Sequence, residues 1–245
     1  MDITKLLQSL EEFVYEVACL AVLIPKTFFT LTFSPRRVYG YVTAELKKPA
    51  EARFDGYASP LIQWLIAGLV PHFVTLSIFA SLPALRPLFS SDALVLDLLQ
   101  LPMEGRLTAL SVFAISLPVA LAVVTVRERG EEITKATLRA PLYMQCYCLS
   151  PQLMAAFPLW FLWEAKRRGV HANITQYDQV FEGLLAVWFV YTSLMLFRLQ
   201  LNVSWRRTLV LLGKSYFVFL GIMVVMEASV LLVLGLMKQS SPELR

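Results

Sequence analysis

Charge is what this sequence lacks most. Only 16% of its 245 residues are Asp, Glu, Lys or Arg, against roughly 25% in an average soluble domain. That shortage argues against a soluble globular enzyme and against a disordered chain. Cysteine is also scarce. Cys19, Cys146 and Cys148 form an odd, sparse set that gives no disulfide framework. Cys146-Tyr147-Cys148 lies in an apolar stretch without His or acidic neighbours. A tetrahedral metal site wants four converging ligands, so these thiols read as small buried apolar groups. Histidine occurs only at positions 72 and 171, too few for a His-based metalloenzyme. The sequence has no Walker A run, no dinucleotide glycine fingerprint, no HExxH and no Gly-x-Ser-x-Gly elbow, the short patterns that place phosphates, zinc or a nucleophile. The chain is therefore expected to be no enzyme and to use no cofactor or metal. No dense basic run points to a nucleic-acid partner. The N-terminus, MDITKLLQSLEEFVYE, is acidic where a signal peptide would be basic, so insertion is expected to rely on internal spans.

What is present is apolar surface. Hydrophobic residues make up 57% of the chain, and the mean hydropathy is +0.61. A helix needs about 20 mostly apolar residues to cross a bilayer. Five stretches are that long, at 60–82, 107–126, 141–163, 179–200 and 215–237, with a tail at 238–245. The first three carry Pro71, Pro118, and Pro151 with Pro158, which membrane helices tolerate as kinks. Trp64, Trp160, Trp163, Trp188 and Trp205 fall mostly near the expected ends of spans, as in an aromatic belt. The connection 83–106 is rich in leucine (Leu94, Leu96, Leu98, Leu99, Leu101) and suggests a short interfacial or re-entrant helix. The expected class is all-α, a polytopic membrane helix bundle of about five transmembrane helices.

Residues 1–59 precede the first span. Ile3, Leu7, Leu10, Val14, Val17, Ala21 and Ile24 recur at helical spacing, which predicts an amphipathic helix. Its polar face carries Asp2, Glu11, Glu12 and Glu16 against Lys5, whereas a binder of anionic lipid would be basic there. The pattern fits a helix lying on the membrane or on the bundle, or a docking surface for a partner helix. Glu16, Pro25 and Lys26 interrupt the apolar run 13–33, so it is not counted as a span. A second interfacial helix is expected at 35–48, with Ser34 as N-cap and Pro35 at the first helical position. Lys47-Lys48-Pro49 ends it. A loop with turn chemistry at Asp55-Gly56 then leads to Pro60.

The net charge is +4 and the pI about 9.0. The 22 basic residues are unevenly placed. Fifteen fall on the side that includes the N-terminal region, and seven on the other. The positive-inside rule then puts the N-terminus in the cytoplasm and the C-terminus outside.

Glu227 is the unexpected residue, near the middle of the fifth span. His72 follows Pro71 at similar depth in the first span. Ionisable groups at that depth cost several kcal/mol unless paired or neutral. Three readings compete: polar glue between helices, a proton or ion site, and a substrate contact. Lesser polar features are Tyr191-Thr192-Ser193 inside the fourth span, Arg198 and Lys214 placed to snorkel, and an Asn173-Ile174-Thr175 sequon. Glu128, Glu131 and Glu132 interleave with Arg127, Arg129 and Lys135 and read as a solvated helix start.

The layout resembles the Yip-domain family, five-span membrane proteins named for interaction with Rab-type GTPases. The residues concerned are Gly56-Tyr57-Ala58-Ser59-Pro60-Leu61 leading into the first span, preceded by Ser34-Pro35-Arg36-Arg37. The similarity runs from about residue 26 to 237 and is to the prokaryotic branch. It implies Gly56, Tyr57 and Pro60 as motif residues and residence in a membrane. The leading expectation is a non-enzymatic, Yip-like scaffold or interaction subunit in the bacterial inner membrane. Its partners would be the lipid bilayer and either a second copy or another protein engaged through residues 1–50. The alternatives are a small oligomeric transporter or channel using Glu227 and His72, and a membrane-permeabilising effector.

Overall fold

The computed structural model describes residues 3–81, 103–167 and 175–240. All regular structure among them is helical, with no strand. Helix α1 is Ile3–Thr27 and runs into a π-helical segment, Phe28–Thr32. Helix α2 is Pro35–Glu45, and a short 3-10 turn covers Ala50–Ala52. The longer helices are α3 (Pro60–Ser81), α4 (Met103–Glu128), α5 (Lys135–Arg167), α6 (Thr175–Leu201) and α7 (Trp205–Ser240). Three stretches among the described residues are long and apolar enough to cross a membrane: Gln8–Thr32, Val180–Leu201 and Trp205–Val225. The protein is membrane-embedded. Helices α3, α4 and α5 occupy the positions of the first three expected spans. The leucine-rich segment with its proposed re-entrant helix lies largely outside the described residues.

Helix α2 ends at Glu45, before the expected 48, and α4, α5 and α6 run beyond the expected spans 107–126, 141–163 and 179–200 at both ends. Two further differences bear on the charges and prolines. Pro25 does not interrupt the N-terminal helix, because the backbone continues through it and widens into the π-helical turn just beyond. A proline removes one helical N–H and crowds the carbonyl four residues back, and a π-turn is one way for a helix to absorb such a disturbance. The apolar stretch 8–32 is therefore one unit of spanning length. Helix α7 begins ten residues before the expected span. Its basic residues Arg206, Arg207 and Lys214 lie within the helix, exposed on its surface, so they do not break it.

The helix ends follow local rules. Gly130 takes the left-handed conformation at φ +72°. Its N–H donates to the Arg127 carbonyl at 3.0 Å, and the Glu131 N–H donates to the Val126 carbonyl at 3.3 Å, which together make a Schellman stop. Asn202 ends α6 in the left-handed conformation at φ 52°, its N–H donating to the Arg198 carbonyl at 2.9 Å, the simpler single-bond stop. Thr134 and Thr137 cap α5 reciprocally, each side-chain oxygen accepting from the other's N–H at 3.2 and 2.9 Å; this is a capping box with Thr in the third position. Ser34 stands at the start of α2 with Pro35 in the first turn, but its side chain makes no capping bond.

Packing centres on α5, which contacts α2, α3, α4 and α6 and the π segment. One core cluster joins Leu31, Val38 and Val42 to Met144, Tyr147 and Cys148 of α5 and Leu196 of α6. A second joins Trp64, Leu121, Val124, Cys146, Leu149, Phe197 and Leu211. Cys146 and Cys148 thus serve opposite faces of α5 and are both buried. Helix α3 approaches α5 most closely at Gly68, where an added Cβ would lie 3.0 Å from Cδ2 of Leu153. We expect Gly68→Leu to overpack this crossing and cost about 1–3 kcal/mol, read as a lower unfolding midpoint in detergent. Pairing it with Leu153→Ala should recover most of the loss. No recovery would show that Gly68 matters for another reason.

Candidate functional site

The segment between α1 and α3 is fastened to α5 by a short chain of hydrogen bonds. Tyr147 is fully buried, and its hydroxyl donates to the Ala58 carbonyl at 2.6 Å. The Ala58 N–H donates to Oγ1 of Thr27 at 2.9 Å. That hydroxyl in turn donates to the Leu23 carbonyl at 2.6 Å. Ala58 is 1% exposed, so both of its backbone groups are buried and both are satisfied. The arrangement ties the end of α1, the loop before α3 and the middle of α5 into one unit.

Glu45 closes the loop from the other side. Its carboxylate accepts from Lys48 Nζ at 2.6 Å and from the Phe54 N–H at 2.7 Å. Arg53 then donates to the Lys48 carbonyl at 2.9 Å and the Leu46 carbonyl at 3.3 Å. Phe54 adopts the left-handed conformation at φ 65°, which is uncommon for a bulky residue. Turn chemistry at Asp55-Gly56 was expected, yet the left-handed residue is Phe54. The reason is tertiary. Its N–H is held by Glu45, and its ring packs edge-on against Tyr41 (6.0 Å) and Tyr143 (5.6 Å). Surroundings that over-determine a conformation can keep a strained one.

The motif residues converge here. The Gly56 carbonyl accepts from Lys26 Nζ at 2.9 Å. The same ammonium lies 4.8 Å from the centre of the Tyr57 ring, a cation–π contact. Tyr57 meets Tyr41 edge-on at 4.9 Å. Pro60 is buried and opens α3. Nothing lies within 4 Å of a Cβ added to Gly56, so this glycine is not required by crowding. Desolvation and the Glu45 and Tyr57 neighbours push the Tyr41 hydroxyl well above the usual range.

The intramembrane candidates fare differently. His72 lies in α3 and Glu227 in α7, but their side chains fall outside the described residues. Within α6, the Thr192 hydroxyl bonds back to the Trp188 and Phe189 carbonyls at 2.9 and 3.1 Å, so that part of the Tyr191–Ser193 patch serves its own helix. Arg198 lies over the Trp205 ring at 4.8 Å.

Glu128 is not a freely solvated charge. It accepts from Nε of Arg207 at 2.8 Å and also from its terminal nitrogen, and Lys214 Nζ lies 3.6 Å away. The Arg207 hydrogen bond, with the charges of Arg207 and Lys214, outweighs desolvation and holds this carboxyl below its ordinary value. The pairing joins α4 to α7. Thr27, Glu45, Tyr147 and the Glu128 pairing had no signature in the sequence. Their partners lie 79 and 89 residues away for Glu128 and Tyr147.

In comparisons with family models, with curated proteins and with solved structures, the chain matches none.

Two outcomes test the clamp. Tyr147→Phe leaves the buried Ala58 carbonyl unpaired, which should cost about 1–3 kcal/mol and make the loop 53–57 more sensitive to protease. Unchanged stability and cleavage would show the bond to be dispensable. The second outcome concerns pH. Burial pushes the Glu45 carboxyl up, but the Lys48 and Phe54 hydrogen bonds and the Lys48 charge outweigh it and hold it below its ordinary 4.5. A carboxylate depressed on folding stabilises fully above its unfolded value, and the gain is lost as pH falls through the folded one. Protection of loop 53–57 from proteolysis should therefore be constant near neutrality and fall below about pH 4.5. Glu45→Gln should weaken it at neutral pH and flatten that acid limb.

Proposed function

We propose that this chain is a non-enzymatic, Yip-like integral membrane protein that acts as a scaffold or interaction subunit. In this reading α3 to α7 are the five spans of a bundle in the bacterial inner membrane. The N-terminal region faces the cytoplasm and the C-terminus lies outside. The asymmetry of Lys and Arg supports that orientation.

One observation carries the reading. Among the described residues, helix α1 makes its substantial contacts with its own π-helical extension and not with the bundle. Its apolar face is uncovered: Leu10, Val14 and Val17 are all exposed. Glu11, Glu12 and Glu16 are exposed as well. The helix is long enough to cross a membrane, but crossing alone would place carboxylates against hydrocarbon at several kcal/mol each. A face that is apolar on one flank and acidic on the other suits a partner helix, the helix-in-groove mode of recognition. Meanwhile Thr27, Lys26 and Tyr57 anchor the rear of α1 to the bundle. An anchored base and a bare arm are what a presented docking element needs.

Cysteine cross-linking in native membranes tests this, with Cys146 and Cys148 both buried in the bundle. In a Cys19→Ser background, Val14→Cys and Val17→Cys should each give a discrete product larger than the monomer, and Glu12→Cys should not. Deleting residues 3–24 should disperse the complex yet leave the chain integrated in the membrane. Equal cross-linking from all three positions, or a complex that survives the deletion, would rule α1 out as the docking face.

A further inference from the structure

A groove of about 340 Å³ runs along the outside of the bundle between α4, α6 and α7. Leu117 and Leu121 form one wall, Phe189 the second, and Leu209, Leu212 and Tyr216 the third. Gly213 leaves its floor open, with nothing within 4 Å of an added Cβ. Ser215 also lines it, but its hydroxyl donates back to the Leu211 carbonyl at 2.9 Å. It therefore offers no free donor to an occupant. Leu209 and Tyr216 are more than half exposed, so the groove opens to the bundle's surroundings. Two of its three walls belong to helices of spanning length.

The groove has a polar mouth at one end. From Leu209 to Tyr216 it covers about 10 Å of α7, at 1.5 Å per residue. Arg206 lies three residues before Leu209, one turn nearer the helix start on the same face. Trp205 is beside it, 45% exposed and stacked under Arg198. The cations here are not equivalent. Arg207 and Lys214 share Glu128, whereas Arg206 is exposed and has no acidic partner among the described residues. An uncompensated guanidinium at a membrane surface attracts phosphate, and tryptophan settles at the headgroup level.

We infer that this groove binds one anionic phospholipid of the membrane, with an acyl chain between Leu121, Phe189 and Leu212 and its phosphate on Arg206. Apart from the exposed Tyr216 hydroxyl the described lining is apolar or, at Ser215, internally bonded, and the charge at the mouth selects the headgroup. The site rests on the reading that α6 and α7 cross the bilayer. It does not depend on α1 or on any protein partner.

Native mass spectrometry of the full chain tests the site after reconstitution in nanodiscs of mixed phosphatidylcholine and phosphatidylglycerol. A prior check is retention in phosphatidylcholine vesicles after alkaline washing. Failure there would overturn the membrane reading itself, separately from the site. Wild type should retain phosphatidylglycerol in preference to phosphatidylcholine. Arg206→Gln should lower that preference about fivefold, the equivalent of roughly 1 kcal/mol for one basic residue near a membrane surface. Gly213→Trp should fill the groove and reduce retention of both lipids. Arg206 is a surface residue, so its variant reports even if the filled groove unfolds. Equal retention of the two lipids by wild type, or an unchanged preference in Arg206→Gln, would overturn the assignment.

Discussion

The fold turns on a buried hydroxyl. Tyr147 stands in the middle of α5, the helix against which most of the others pack, and its bond to the Ala58 carbonyl fixes where the chain enters the bundle. In a low-dielectric interior an unmade hydrogen bond costs more than a made one gains. The loop before α3 therefore has few alternatives once Ala58 is buried. Its N–H must find an acceptor and its carbonyl a donor, and Thr27 and Tyr147 supply them. The left-handed Phe54, the Glu45 latch and the Lys26–Tyr57 contact all follow from a loop pinned at that point.

The same anchor explains why the N-terminal half is unevenly ordered in its contacts. Beyond Lys26, toward the N-terminus, no comparable bond reaches the bundle among the described residues. Helix α1 keeps its exposed leucine and valines while α2, only a few residues later in the chain, buries Val38 and Val42 against α5 and α6. The two helices have similar amphipathic patterns, so pattern alone does not separate them. What separates them is that the hold on the chain ends at Lys26 and Thr27. At the far side of the bundle, Glu128 performs a comparable task between α4 and α7. By occupying Arg207 and Lys214 it leaves Arg206, beside the apolar groove, without an acidic partner among the described residues.

Much of the helical layout was legible from residue types alone. Proline at the start of α2 acts within a single turn, and such a local signal survives in any tertiary context. Pro25 misled for the opposite reason. A proline usually ends a soluble helix, but here the following π-helical turn absorbs it and the apolar stretch continues. Glu128 also misled. In a row of alternating charges it is indistinguishable from Glu131 and Glu132, and only the approach of α7 sets it apart. The motif around Gly56 was visible, but not its anchor, because Tyr147 reads as one more aromatic in an apolar run.

The sequence by itself determined the solvent. Scarce charge and long apolar stretches are properties of each segment taken alone, and they suffice to place a helical chain in a membrane. It also determined the start of α2 at Pro35 and the approximate course of the longer helices. Only the tertiary structure decided which polar groups are paired. The Tyr147 and Glu128 bonds join residues 89 and 79 positions apart, and no local pattern encodes such meetings. It also decided which apolar faces stay bare, because a face is covered only when another helix arrives to pack on it.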